Sequence, residues 1–502
     1  MQKKQTILVV ASLLVVVLSV TLAYFTAQII GKGKDVSVTS TTLQIVFTDS
    51  DGAISGSNIE PGWSDTKTFT VENNSKSEYK YNIVIKDLLN TFVTNGYLQY
   101  KITSTNGGYN MTEFKDIPKS SIATDTILAY SVVIPNGVTQ SYTIEFKYAN
   151  DESVDQSDDM GKKLSGTLFI TEGTEDPNKT LYNQLLADKS TKLTRTDFSK
   201  VLTDNNTKTL YTSTEDSKTV YYFAGNATDN WVKFGKNASN QDLYWRIIRT
   251  NSDGGVRLLY HGTSTTATDA YIGTSAFNTT YNNSMYVGYM YGTSGAQASN
   301  RTNENSSTIK TAIDNWYVSN LEAKGYTKYL STTAVYCNDR EVGSGTYSAT
   351  GSTFYYAAYA RLNTNKTPTY DCTNINDKFT VDTSTGNGKL TYPIALMTAD
   401  EISYAGGVYA TNAPTWYYYN SANGSSTGST WWWLLSPNRW NGSSAGVFFV
   451  YGSSSPGYLS NSNVNNTGGV RPAISLKSCI KYSTGNGSAS DPYTIKETTS
   501  GC

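Results

Sequence analysis

Between residues 35 and 172 the chain is built from short apolar runs of period two, cut repeatedly by Gly, Asn, Asp and Pro. Tyr142, Ile144, Phe146 and Tyr148 alternate with polar or charged neighbours. Every second side chain of such a run points to one face of an extended chain, where it can be buried. A helical domain would need apolar residues every three to four positions instead. The candidate strands are residues 36–47, 66–71, 79–85, 97–103, 127–134, 141–148 and 164–170. Short strands at this density predict an antiparallel β-sandwich over 35–172. Asp49-Ser50-Asp51-Gly52 misses the EF-hand spacing of glycine and ligands and reads as a hairpin turn. Asp151, Glu152, Asp155, Asp158 and Asp159 read as a solvated loop.

Ahead of this region, Lys3 and Lys4 precede an apolar run over residues 7–25, with no acidic residue before Asp35. A positive start and an apolar length near the roughly twenty residues that span a bilayer predict an export segment over 1–30, either signal peptide or membrane anchor. Thr21 and Ala23 place small residues at −3 and −1 of a cut between Ala23 and Tyr24. The chain is therefore expected to be extracellular, either secreted or anchored to the cell membrane by an N-terminal helix.

The chemistry is defined first by exclusion. With 40 Lys+Arg against 41 Asp+Glu, the chain lacks the basic footprint of a nucleic-acid binder. The single histidine, His261, excludes H-E-x-x-H and two-histidine metal sites. Gly442-Ser443-Ser444-Ala445-Gly446 matches the form of a nucleophile elbow, but His261 precedes the serine where that fold needs it to follow. No catalytic residue, metal ligand or cofactor is assigned. Cys337, Cys372, Cys479 and Cys502 allow three pairings, of which Cys337 with Cys372 and Cys479 with Cys502 close loops within the C-terminal half.

Residues 173–215 read as a linker with a short helix carried by Leu181, Leu185, Leu186 and Leu193, and 204–216 as a polar surface loop. Residues 216–480 read as an α+β domain and 481–502 as a C-terminal tail. Residues 243–250 and 256–260, joined by Asn251-Ser252-Asp253-Gly254-Gly255, predict a hairpin, with Arg246, Arg249 and Arg257 on its open face. Ser307 ahead of Ile309, Ala312, Ile313, Trp316 and Leu321 predicts a capped helix. Thr398-Ala399-Asp400-Glu401 predicts a capping box. The 39 tyrosines and nine tryptophans are densest between Trp416 and Tyr458. Trp431-Trp432-Trp433 is assigned to the core. Asn438, Arg439, Trp440, Tyr451, Tyr458, Asn461 and Asn463 are the candidate ligand-binding residues, because aromatic rings give rigid amphipathic contact and asparagines give adaptable hydrogen bonds.

Leu22-Ala23-Tyr24-Phe25-Thr26, Thr42-Leu43-Gln44-Ile45, Glu60-Pro61-Gly62 and Thr66-Lys67-Thr68-Phe69-Thr70-Val71 resemble TasA/camelysin-type secreted proteins of Gram-positive bacteria. The resemblance covers about 150 residues at the N-terminus and implies a signal peptide followed by a β-sandwich, as in biofilm-matrix fibre subunits. Some members carry a metalloendopeptidase label, but the matching region holds no histidine, so no zinc-protease site is carried over. Trp432-Trp433-Leu434-Leu435-Ser436-Pro437 and Gly469-Val470-Arg471-Pro472-Ala473, with Trp245-Arg246-Ile247-Ile248-Arg249, resemble uncharacterised Gram-positive surface domains of the WWLRSP…GVRPA type, Leu435 standing where the arginine is usual. Those domains are similar, more distantly, to C-type-lectin-like and formylglycine-generating-enzyme-like folds, whose loops carry ligand contacts. The enzyme role is not carried over, since no cysteine pair matches its motif. Residues 438–467 also resemble the hypervariable segment of retroelement-diversified lectin-like proteins.

The expected fold is mainly β with some α, an N-terminal antiparallel β-sandwich followed by an α+β C-type-lectin-like domain. The expected function is that of a bacterial cell-surface or secreted binding and adhesion protein recognising an extracellular carbohydrate or protein ligand. An extracellular fibre subunit formed by self-assembly is the first alternative. A secreted camelysin-type protease is the second, disfavoured by the single histidine. The membrane is a partner where the N-terminal segment stays uncleaved, and nucleic acid is not a partner.

Overall fold

The period-two runs do form strands. The computed structural model describes residues 36–40, 43–49, 53–55, 59–204, 207–267, 270–413, 416, 418, 431–452 and 455–502. The apolar run at 7–25 and the Ala23/Tyr24 cleavage position lie outside the described residues. Among the described residues, no helix is long and apolar enough to cross a membrane. The fold is mainly β with some α, and the chain divides into two compact units, Met1–Pro177 and Asn178–Cys502.

The first unit contains β1 (Val36–Ser40), β2 (Leu43–Asp49), β3 (Ala53–Ser55), β4 (Ser64–Asn73), β5 (Tyr79–Asn90), β6 (Leu98–Ser104), β7 (Lys115–Asp116), β8 (Ser120–Ile134), β9 (Thr139–Tyr148) and β10 (Leu164–Glu172). They form a six-stranded sheet, β1-β2-β4-β9-β6-β7, and a four-stranded sheet, β3-β10-β5-β8. Phe69, Val71, Ile144 and Phe146 from the first sheet share one core with Ile83, Ile85, Leu128 and Leu168 from the second, which is a sandwich arrangement. Phe69 and Tyr142 are cross-strand partners whose rings stack 4.7 Å apart.

The turn expected at Asp49 to Gly52 falls, at residues 50–52, outside the described residues. Two details differ from expectation. Residues 36–40 and 43–49 form two strands, β1 and β2, paired antiparallel rather than one strand. In the acidic loop, Asp159 is buried and accepts from Val93 N at 2.5 Å, Thr94 N at 3.2 Å and Tyr148 Oη at 2.8 Å.

The second unit takes in most of what reads as linker and all of what reads as tail. The helix Leu181–Asp188 buries Leu181 and Leu185, while Leu193 falls on the strand Thr191–Thr194. Residues 209–215 form a strand with Leu210 and Tyr211 buried, within the stretch expected to be a surface loop. The strand Tyr493–Ile495 pairs parallel with Trp231–Lys236 inside the ten-stranded sheet. Cys337 is bonded to Cys372 and Cys479 to Cys502. Asp242–Thr250 and Val256–Gly262 form the hairpin, and Val256–Gly262 is flanked on its other side by Pro472–Leu476. Arg246, Arg249 and Arg257 are buried rather than on an open face. Their charge is accommodated because Arg246 stacks on Trp231, 4.1 Å from its ring, and because carboxylates meet the other two. Ser307 caps the helix Thr308–Tyr317, and Thr398 with Glu401 forms a reciprocal capping box on Ala399–Tyr404.

Candidate functional site

The seven-stranded sheet of the second unit carries five of the seven candidate residues, while Tyr451 and Tyr458 lie just beyond the ends of two of its strands. In its strand Trp432–Trp440, Pro437 pairs with Val447 and Arg439 with Gly446. One extra residue, Asn438, is thereby inserted against the neighbouring strand, a β-bulge that re-aims the side chains after it. Cross-strand partners share a face, so Tyr355, Arg439, Gly446 and Asn463 form one row across four strands. Phe448 and Asn461 form the row beside it. Gly446 leaves a gap in the first row, and a Cβ there would stand 3.2 Å from Arg439 Cγ.

Tyrosines border these rows. Tyr359, on the helical turn Ala357–Tyr359, stacks on Tyr355 with centroids 4.2 Å apart. Tyr409 meets Tyr359 edge-on at 5.5 Å and Phe448 at 5.9 Å. Asn461 Nδ2 donates to Tyr409 Oη at 3.1 Å. Burial raises the Tyr409 pKa, against the opposing effects of the Asn461 hydrogen bond and the Arg439 charge. The phenol therefore stays protonated at neutral pH and keeps a hydroxyl proton to donate. The side chains of Tyr355, Tyr359, Tyr409, Arg439, Asn461 and Asn463 are all half-buried.

Arg439 Nε, Asn461 Oδ1 and Asn463 Oδ1 have no hydrogen-bond partner. A desolvated polar atom left unpaired costs about 1–3 kcal/mol. This donor and these two acceptors lie shielded from water beside the tyrosine rings, so a ligand's hydroxyl or amide groups would reach them only as the half-buried side chains shift, with the rings stacking on its apolar faces.

Of the seven candidates, the structure brings Arg439, Asn461 and Asn463 together on this face, and Tyr458 is within electrostatic reach of Tyr409. Tyr451 packs on Phe449 at 4.6 Å, and alternation along Ala445–Val450 puts Phe449 on the opposite face from Phe448. Trp440 and Asn438 are not surface residues. Trp440 is 1% exposed, with its indole Nε1 donating to Gly351 O at 3.3 Å. Asn438 is 0% exposed, with both side-chain polar atoms unpaired. Neighbours of an outward strand residue point inward, which accounts for Trp440 beside Arg439. Tyr355, Tyr359 and Tyr409 are not among the residues that composition singles out. The run Phe354-Tyr355-Tyr356-Ala357-Ala358-Tyr359 is the signal in the sequence that marks two of them.

A further polar concentration is an ion-pair network around Glu401. Its Oε1 accepts from Arg249 Nε at 2.9 Å and Arg257 Nη1 at 2.8 Å, and its Oε2 from Thr398 N at 3.0 Å. Arg249 also reaches Glu215 at 2.7 Å. Nearby, Arg361 bridges Asp339 at 2.6 Å and Asp400 at 2.9 Å. These groups are mutually paired, as a structural network should be. Among the described residues, no group of three or more His, Cys, Asp or Glu side chains could hold a metal ion. Neither a protein-family model nor a curated protein matches the sequence.

Proposed function

We propose that this chain is an exported bacterial surface protein whose second unit binds an extracellular carbohydrate or protein ligand through the face holding Tyr355, Arg439, Asn461 and Asn463. The observation that carries the reading is the set of unpaired atoms on that face, Arg439 Nε, Asn461 Oδ1 and Asn463 Oδ1, set among stacked tyrosines. The charged N-terminus and apolar run at 7–25 support export, and the TasA-like and lectin-like resemblances agree in placing such chains outside the cell. The first unit would then serve as stalk or assembly module. Binding of an uncharged ligand through stacking and hydrogen bonds, with Arg439 meeting no opposite charge on it, should depend weakly on salt.

The test is a glycan and cell-surface binding screen of the full chain, repeated with Arg439→Ala and Asn463→Ala together. A loss of about tenfold or more, corresponding to roughly 1.4 kcal/mol, with unchanged circular dichroism, is expected. Retained affinity for every ligand the parent binds would sink the assignment.

A fibre subunit is a second reading, favoured by β8. It is the outer strand of its sheet, runs fifteen residues, and leaves Ile122 and Val133 exposed, and such an edge can template pairing with another copy. Electron microscopy of the purified chain separates the two readings, since filaments without ligand binding support this one alone.

A further inference from the structure

A second surface of the same unit, sharing no residue with the Arg439 face, has the chemistry of a ligand site. It is a groove of about 490 Å³ between the segment at Ser275 to Thr280 and the helix Thr308–Tyr317, a volume in the range of small-molecule sites. Thr308, Thr311, Ala312 and Asn315 recur at helical spacing and line it as one stripe, while Ile309, Ile313 and Tyr317 of the same helix are buried in the core. Tyr291 forms an aromatic wall, held edge-on to Tyr286 at 5.3 Å.

The lining carries no charged side chain. A phosphate or carboxylate ligand would leave its charge unmatched here. Ala312 is the one aliphatic residue in the lining, so a peptide would find no pocket for apolar anchors. Hydroxyls and amides, which both donate and accept, suit a ligand built of neutral hydroxyl groups.

Asn278 supplies the pointer to an occupant. It lines the groove yet is 3% exposed. Its backbone is fixed, since Asn278 N donates to Val464 O at 3.0 Å, and the next residue is held by Thr279 N donating to Thr308 Oγ1 at 3.1 Å. Asn278 Oδ1 accepts a long hydrogen bond from Thr280 N at 3.4 Å, while Nδ2 has no partner. A buried amide donor held in place with nothing to donate to is costly, and a ligand hydroxyl in the groove would satisfy it.

We propose that this groove binds an uncharged carbohydrate, with Asn278 Nδ2 donating to a sugar hydroxyl, the Thr308/Thr311/Asn315 stripe bonding its neighbours, and Tyr291 flanking the ring. The experiment is saturation-transfer NMR on the full chain with maltotetraose, chitotetraose and mannotetraose at millimolar concentration, and an uncharged tetrapeptide as control. At least one sugar should show saturation transfer, and Thr311→Trp, which fills the groove from an exposed position, should reduce the signal about tenfold. Asn278→Ala should do the same if it folds. All of these measurements are made in an Arg439→Ala/Asn463→Ala background, so that a sugar held by the Arg439 face contributes no signal and this site's failure stays distinct from that of the other face. In that background, silence from all three sugars, a signal that survives Thr311→Trp, or binding of the peptide alone would each overturn the proposal.

Discussion

Replacing Glu401 by alanine tests whether the buried ion network holds the second unit together. The carboxylate accepts from two guanidiniums and one backbone amide, all within 3.0 Å. After truncation Arg249 keeps Glu215. Arg257 keeps only neutral acceptors, Ser475 Oγ at 3.3 Å and Val335 O at 2.5 Å, so a buried cation loses its counter-charge. Breaking a buried pair in this way costs about 3–5 kcal/mol, a large share of the roughly 5–15 kcal/mol that a domain has in total. With a urea slope near 3 kcal/mol/M, the midpoint should fall by about 1 M or more. Tryptophan fluorescence is the natural probe, because Trp63 is the only one of the nine tryptophans outside the second unit. Burial pushes the Glu401 carboxyl up, but Arg257 and Arg249 outweigh it and hold the pKa below the usual carboxylate value. A depressed folded pKa gives stability that is complete above the unfolded value, about 4.3, and that is lost as pH falls through the folded value. The gap between the parent and Glu401→Gln should therefore be constant from about pH 6 to 8 and shrink on acidification below about pH 4. A loss under about 1 kcal/mol for Glu401→Ala would place these pairs with surface salt bridges and refute the reasoning.

Two further outcomes are expected. Replacing Cys337 and Cys372 by serine opens a loop with a sequence separation of 35 residues, for which chain entropy gives about 4 kcal/mol; urea melts of the double variant should show it, and an unchanged midpoint would argue against that bridge. In the first unit, burial opposes ionisation of Asp159, but hydrogen bonds from Val93, Thr94 and Tyr148 lower its pKa. Asp159→Asn should destabilise the sandwich at neutral pH, with the difference from the parent fading below about pH 4, followed by circular dichroism in urea.

The sandwich was legible because its strands have one wet face and one dry face, as β9 does from Thr139 to Tyr148 with its alternating burial. The second unit was less so. Trp432 to Leu435 and Ala445 to Val450 are buried on both faces, and such strands read as continuous apolar runs with no period to exploit. Arg249 and Arg257 were misplaced because Glu401, which neutralises them, lies 152 and 144 residues away in sequence. Composition singles out Arg439, Asn461 and Asn463, which the strand register sets on one half-buried face. It could not set Asn438 and Trp440 inward, because that depends on a bulge in the register of two strands. Tyr355, Tyr359 and Tyr409 join the site only through pairing and packing over long sequence distances.

The parallel pairing of Val232 with Tyr493 sets the order in which the second unit can fold. The strand Trp231–Lys236 lies between Asp242–Thr250 and Tyr493–Ile495, so its sheet is incomplete until residues near 493 have been made. The start of the unit is tied to the same late region, since Leu181 N donates to Ile480 O at 2.8 Å. Contacts so distant in sequence form slowly, and a growing chain that lacks its closing strand cannot complete the finished sheet. The topology itself therefore postpones completion of the second unit until nearly all of its strands are present.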